Sequence, residues 1–330
     1  MLLLEPITIK NRQLPNRIVM APMCMYSAKE DGFITNWHKT HYLTRAMGGV
    51  GLIIMEATAV TPEGRISDGD LGIWSDDHTK SLKELVDEVH ETEALIGIQL
   101  AHAGRKSESQ VMPHLGPTEE SYSDDYQKPK AMDDQDKTNI VSAFKEAARR
   151  ADEAGFDAIE IHAAHGYLLH QFLSPILYQH DFDERFSMLK RVVESIKEVW
   201  PSDKLLIVRL SATDYREDGI DPDMFIETVK RLKELEVDLI NVSTGGLVSV
   251  RPPVFPGYQV SHAALLKEHV DIPTIAGGLI TNADMANRIL GEGSADLIYM
   301  GRELLRNPYF VNNLKEKEDY PLQYQRAYVR

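Results

Sequence analysis

Asp157-Ala158-Ile159-Glu160-Ile161-His162-Ala163-Ala164-His165-Gly166-Tyr167 is the stretch whose reading decides the fold. A strand alternates its faces, so Ile159 and Ile161 point one way and Glu160 and His162 the other. Two imidazoles and a phenol then crowd the end of what should be a buried strand. A segment with no chemistry to do has little reason to gather three hydrogen-bonding side chains there. Alone, a His-x-x-His pair is better explained as two satisfied histidines, and the rest of the chain overturns that.

Working outward, eight apolar runs recur: Ile18–Met23, Gly51–Ala57, Leu95–Ala101, Asp157–His162, Leu205–Leu210, Asp238–Val242, Pro273–Ala276 and Asp296–Met300. Helical periodicity fills the intervals. Leu82, Leu85, Val86 and Val89 form one stripe. Phe144, Ala147, Ala148, Ala151 and Ala154 form another, with Gly155 as its C-cap. Leu189, Val192, Val193, Ile196 and Val199 form a third, stopped before Pro201. Eight strand–helix alternations predict an α/β fold, a (β/α)8 TIM barrel, as one domain over residues 1–330. A doubly wound sheet would carry an early Gly-x-Gly-x-x-Gly after its first strand, and this chain has none. Residues 1–17 read as an N-terminal hairpin, turning at Asn11-Arg12 and closing the bottom of the barrel. Residues 104–130 are polar and too long for an ordinary connection, and form an extended, lid-like loop after strand 3.

Composition narrows the function. The net charge of −15 argues against a nucleic-acid duplex or an anionic membrane as partner. The single cysteine, Cys24, excludes an internal disulfide, an iron–sulfur cluster held by four cysteines and a cysteine-rich zinc site. Leu2-Leu3-Leu4 is broken at once by Glu5-Pro6, unlike a signal peptide, and no apolar run approaches a membrane span. A cytoplasmic location is the expectation.

In a barrel the catalytic groups come from the C-terminal ends of the strands. Strand three ends in Gly97-Ile98-Gln99 and strand five in Arg209-Leu210-Ser211. A buried arginine needs an electron-rich partner. Either a ligand edge or an internal pair with Glu160 supplies it. Strands seven and eight end in Ala276-Gly277-Gly278 and Gly301-Arg302, where backbone N–H groups and a cation can hold a phosphate. A metal on His162 and His165 would need Glu160, His102 or Asp214 as third ligand, and none has diagnostic spacing, so no metal is expected.

With these residues in place, the chain resembles the old yellow enzyme family of FMN-dependent ene-reductases, in particular its bacterial thermophilic-like branch. Four motifs carry the resemblance, which spans nearly the whole chain: Asn16–Tyr26, Gln99-Leu100-Ala101-His102-Ala103-Gly104-Arg105-Lys106, Ile161–Tyr167 and Gly301-Arg302-Glu303. The resemblance implies an NADH- or NADPH-dependent enzyme that reduces the activated C=C bond of an α,β-unsaturated carbonyl or nitro compound. It assigns Pro22, Met23, Cys24 and Ala57 to the isoalloxazine and Gln99 and Arg209 to its pyrimidine edge. Gly278, Gly301 and Arg302 would hold the phosphate. Tyr26 would bind substrate, His162 and His165 its oxygen, and Tyr167 would deliver a proton.

One loop departs from the family. After Ser174-Pro175 the chain reads Ile176-Leu177-Tyr178-Gln179-His180-Asp181-Phe182-Asp183-Glu184-Arg185, several residues shorter than the family pattern and without its glycine pair. It is the one feature favouring an alternative, a flavin-binding barrel with little turnover, used for redox sensing or storage. The tail Tyr324-Gln325-Arg326-Ala327-Tyr328-Val329-Arg330 carries aromatics and arginines. The branch places a C-terminal arginine in a neighbour's active site. The resemblance therefore implies a dimer-based homo-oligomer with Arg326 lining the partner's substrate pocket near Tyr26.

Overall fold

The computed structural model describes residues 1–328. Eight strands form the barrel: β1 (Ile18–Met20), β2 (Leu52–Ala59), β3 (Leu95–Ala101), β4 (Ala158–Ala163), β5 (Leu205–Ser211), β6 (Leu239–Ser243), β7 (Thr274–Ala276) and β8 (Leu297–Met300). Each pairs in parallel with the next in chain order, and β8 pairs back onto β1, so the sheet is closed. The expected TIM barrel is the fold. All eight expected runs hold a strand, and the second extends two residues further, to Ala59.

Eight helices cover the outside: α1 (Asn36–Met47), α2 (Asp77–His90), α3 (Asp134–Ala154), α4 (Phe182–Lys197), α5 (Pro222–Glu234), α6 (Val260–His269), α7 (Ala283–Gly291) and the short α8 (Arg302–Arg306). Local sequence sets their ends. At α3, Asp133 accepts from the Asp136 N–H at 2.8 Å and Asp136 accepts from the Asp133 N–H at 3.1 Å, a reciprocal cap. Gly155 ends this helix at φ +92, a left-handed conformation that costs glycine nothing. Between these caps the expected stripe from Phe144 to Ala154 is buried against the barrel. Burying Phe144 alone is worth roughly 1.5–3 kcal/mol. The α4 stripe also forms, but the helix stops at Lys197, short of Val199.

The strands face two ways. Ile159 and Ile161 look outward to the helices. Val19, Leu52, Ile54, Ala158, Leu205, Ile207, Leu239, Ile275 and Leu297 pack inside, and Ile9 and Leu14 of the N-terminal hairpin close that layer from below. The hairpin strands are Ile7–Ile9 and Arg12–Leu14. Its turn is therefore Lys10-Asn11, one residue earlier than Asn11-Arg12. Lys10 takes φ +54, and Arg12 belongs to the returning strand, where it bonds Asp203 at 2.7 Å. The segment after β3 is ordered. It begins with a 3-10 turn, Gly104–Lys106, and is tied at its neck by Leu115–Gly116 pairing with Lys130–Ala131. No helix among the described residues is long and apolar enough to cross a membrane.

Candidate active site

Above the apolar layer the inward positions turn polar. Register places Gln99 opposite Glu160, and Arg209 between His162 and Asn241. Glu160 is fully buried and accepts from Gln99 Nε2 at 2.7 Å and Asn241 Nδ2 at 2.6 Å. Burial pushes its carboxyl up, against Arg209 and the two amides. Arg209 is buried, makes no ion pair with a described carboxylate, and leaves its Nε without a partner. Its guanidinium lies 5.1 Å from the centre of the Tyr299 ring. The internal pair with Glu160 thus does not form, because two amides already satisfy that carboxylate.

Strand β4 delivers His162, and the turn after it delivers His165 and Tyr167. The His162 ring is 5.1 Å from that of His165 and 4.9 Å from that of Tyr167. His162 Nδ1 accepts from the Ala164 N–H at 3.3 Å, so its proton sits on Nε2. His165 takes φ +58, and its own N–H donates to Ser211 Oγ at 3.0 Å. Its Nε2 is held by a chain. Gln259 Nε2 donates to Ser243 Oγ at 3.2 Å, and Ser243 Oγ hydrogen-bonds His165 Nε2 at 2.6 Å. Tyr299 closes the chain by donating to Gln259 Oε1. Burial holds both imidazoles well below their ordinary range, helped by Arg209. Burial pushes the Tyr167 phenol well above 10, reinforced by Cys24 and Asp70. Two neutral imidazoles and one protonated phenol therefore stand at the mouth. His162 Nε2, His165 Nδ1 and the Tyr167 hydroxyl have no hydrogen-bond partner among the described residues.

The turn holding these groups is braced from behind. The Gly166 N–H donates to His170 Nδ1 at 2.9 Å, and His170 Nε2 lies 2.9 Å from Asp214 Oδ1. Asp214 Oδ2 accepts from Ser174 Oγ at 2.7 Å and the Ile220 N–H at 3.0 Å. His170 sits in the short helix Leu168–Leu173, which precedes the shortened loop. That loop is built on its own contacts: Tyr178 packs on Phe172 and donates to Glu184 at 2.9 Å, and Asp181 caps α4.

The remaining candidates surround the mouth. Pro22 is buried and Met23 half-buried after β1. Met23 Sδ lies 3.0 Å from where a Cβ at Gly301 would be. Ala57 follows a bulge at Glu56 in β2. Cys24 is half-buried, and burial raises its thiol, with Asp70 and Glu56 adding to the effect. Gly278 adopts φ +96, and Arg302 opens α8 exposed to solvent. Gly277 instead makes room for a neighbour, since a Cβ there would run into the Tyr299 ring. Tyr26 is 65% exposed at φ +51. Arg326 is exposed in the tail, and Tyr320, Pro321, Gln323 and Tyr324 just before it line a groove with Asn16 and Ala94. These lie at the N-terminal end of the strands, away from this chain's own mouth. Tyr324 packs on Tyr309 of the same chain, and Val329 and Arg330 lie outside the described residues.

The three candidate third ligands for a metal are committed elsewhere: Glu160 to amides, Asp214 to His170, and His102 Nδ1 to the Gly104 N–H at 3.0 Å. No group of three metal-ligating side chains occurs among the described residues. Several working residues lay outside the sequence reading. Glu56 is buried and bonded to Tyr42 at 3.0 Å, and its signal was a lone carboxylate in an apolar run. Tyr299 was signalled by its inward phase with Leu297, opposite a glycine. For His170 and Gln259 no sequence signal existed.

The family model described as NADH:flavin oxidoreductase / NADH oxidase matches residues 2–320. An NADPH dehydrogenase of Geobacillus thermodenitrificans (strain NG80-2) is 49% identical over 339 aligned positions, covering 99% of this chain and 98% of that one. A morphinone reductase in complex with tetrahydroNAD superposes with a TM-score of 0.80 at 25% identity, over 94% of this chain and 89% of that one. A 2-naphthoyl-CoA reductase complex superposes with a TM-score of 0.90 at 23% identity, over 95% of this chain but 52% of that one. This chain thus spans about half the length of that larger protein, and the likeness is one of fold. On these full-length matches the chain belongs to the NADH:flavin oxidoreductase / NADH oxidase family, the old yellow enzymes, and is an FMN- and NAD(P)H-dependent oxidoreductase.

Proposed function

We propose that the protein reduces the activated C=C bond of α,β-unsaturated carbonyl or nitro compounds. One observation carries this reading: His162 Nε2–H, His165 Nδ1 and the Tyr167 hydroxyl stand together at the mouth without partners among the described residues, and with Ser243 donating to His165 Nε2 that ring carries its proton on Nδ1. The two N–H donors hold a carbonyl or nitro oxygen and draw electron density from the conjugated alkene. Neutral imidazoles suit this role, since they orient the oxygen without adding a buried charge. Tyr167 stays protonated at neutral pH and gives its proton to the α carbon. Tyr26, exposed at the rim, lies against the substrate.

The residues at the mouth fit FMN. Arg209 is a buried cation with an unpartnered Nε, which suits the pyrimidine edge of the flavin beside Gln99. Gly278 takes a left-handed backbone at φ +96 and Gly301 packs against Met23, so backbone rather than side chain faces the mouth at both, and Arg302 adds an exposed charge, as a phosphate requires. Pro22, Met23, Cys24 and Ala57 border the ring. The bound FMN would supply the hydride chemistry, drawn from NAD(P)H, that the β carbon of the substrate needs.

Anaerobic titration tests the reading. NADPH or NADH should bleach the yellow holoprotein, an enone should restore the colour, and acid should release FMN. A reduced protein that stays bleached with enones and nitroalkenes, yet recolours in air, would defeat it.

The tail supports an assembly. Arg326 is exposed, the groove beside it lies away from its own mouth, and Trp37 and Met47 of α1 and Leu305 of α8 are exposed apolar side chains. Arg45 of α1 donates to Leu304 O and Leu305 O, which puts α1 and α8 side by side. A two-fold dimer through this face would bring Arg326 to the partner's mouth near Tyr26. Arg326→Ala should then weaken phenol binding about tenfold, some 1.4 kcal/mol, with normal FMN content. A fully active monomer in sedimentation would refute it.

A further inference from the structure

Lys106 opens the extended loop after β3, and its surroundings are unusual for a lysine. Its Nζ donates to His165 O and Gly246 O, each at 2.9 Å. It lies 4.5 Å from the centre of the Tyr122 ring and 5.2 Å from that of Tyr167. Neighbouring Arg105 has a carboxylate, Glu120 at 3.1 Å, whereas no described carboxylate lies within ion-pair distance of Lys106. Glu108 is nearby but accepts from Tyr126. An ammonium half-buried without an anion is costly unless the site develops a negative charge beside it.

We propose that Lys106 is the electrostatic partner of Tyr167, compensating the phenolate that forms when Tyr167 gives its proton to the substrate. This rests on the proton-donor reading of Tyr167 given above. In that step the O–H bond of Tyr167 breaks and its electron pair stays on the phenol oxygen. A C–H bond forms at the α carbon from the pair left there by hydride addition at the β carbon. The phenolate is created beside the Lys106 charge, and water later returns the proton. Tyr122 covers the ammonium from the loop side and keeps it dry. The same charge helps keep His162 and His165 neutral.

The groups facing Lys106 are Arg105, Glu108, Tyr122, Tyr167, His162 and His165. Burial lowers its ammonium to about 8, assisted by Arg105 and opposed by Glu108. The rate of flavin reoxidation by an enone should therefore fall as pH rises past about 8, where the charge is lost.

The test is single-turnover reoxidation of reduced holoenzyme by cyclohexenone, in a double-mutant cycle. Lys106→Gln keeps N–H donors for the two carbonyls but removes the charge. It should slow reoxidation roughly 100-fold at about pH 7 and abolish the alkaline fall. Lys106→Arg should recover most of the rate and move the fall to higher pH. Affinity for p-hydroxybenzaldehyde, read from its absorbance change on binding oxidised enzyme, should stay within about threefold in Lys106→Gln. In a Tyr167→Phe background Lys106→Gln should slow the step less than about threefold, since no phenolate forms. Equal slowing in both backgrounds, or wild-type rate in Lys106→Gln, would overturn the proposal while Tyr167→Phe alone remains slow. A Tyr167→Phe enzyme at full rate would remove the proton-donor reading and this inference with it.

Discussion

Tyr167→Phe should slow reoxidation of the reduced enzyme by an enone about 10²–10⁴-fold, the usual range for loss of a positioned acid. Reduction of the flavin by NADPH should change little, because only the second half-reaction puts a proton on carbon. The two half-reactions separate cleanly in stopped flow, one as bleaching and one as return of colour. Phe keeps the ring that packs edge-on against His162, so His162 stays placed and affinity for phenols should be retained. The phenol is held protonated by burial, with Asp70 adding negative potential, so the wild-type acid is present throughout neutral pH. Equal slowing of both half-reactions would show that Tyr167 shapes the site without giving a proton.

Asp214→Ala is expected to cost about 3–5 kcal/mol in unfolding free energy, read from denaturant midpoints of the holoprotein. The substitution strands three buried donors at once: His170 Nε2–H, Ser174 Oγ–H and the Ile220 N–H. Each such loss is worth about 1–3 kcal/mol. The damage should propagate to catalysis, because His170 holds the Gly166 N–H between His165 and Tyr167. The same carboxylate gives an acid signature. Burial raises its pKa, but His170 and the hydrogen bonds outweigh that, so the net shift is downward from 3.8. A depressed carboxyl adds stability above its unfolded pKa and loses it as pH falls through the folded value. Wild type should thus lose this increment only below about pH 4, and Asp214→Ala should lack that part of the acid dependence. A loss under about 1 kcal/mol would show that the brace is replaceable.

The barrel was legible because its signal is repetitive. Strands with both faces covered give short apolar runs, and the helices between them give stripes that caps such as Asp133 and Gly155 delimit. A turn is less legible: Lys10 adopts a left-handed conformation that Asn11 would have taken more readily, and the hairpin turn moved by one residue. At the site, His162, Gln99 and Arg209 could be read from strand alternation, since inward phase is a local property, and His165 only from its place just past the strand end. Partners could not. That Glu160 would be satisfied by Gln99 and Asn241, or that Gln259 and Ser243 would line up on His165 Nε2, depends on side chains far apart in sequence. Lys106 stood in plain view beside Arg105, but its lack of a carboxylate is a property of the packed loop.

The parallel neck Leu115–Gly116 with Lys130–Ala131 puts Gly116 and Lys130, which flank residues 117–129, on adjacent strands. A segment closed this way is a cassette. Lengthening it adds only a logarithmic loop-closure cost, so doubling its length costs about 0.6 kcal/mol. Tyr122 rides on the cassette, while His162, His165 and Tyr167 are anchored to β4 and its brace. Exchanging residues 117–129 should therefore change the cover over the mouth, Tyr122 above Lys106 included, while His162, His165 and Tyr167 keep their places.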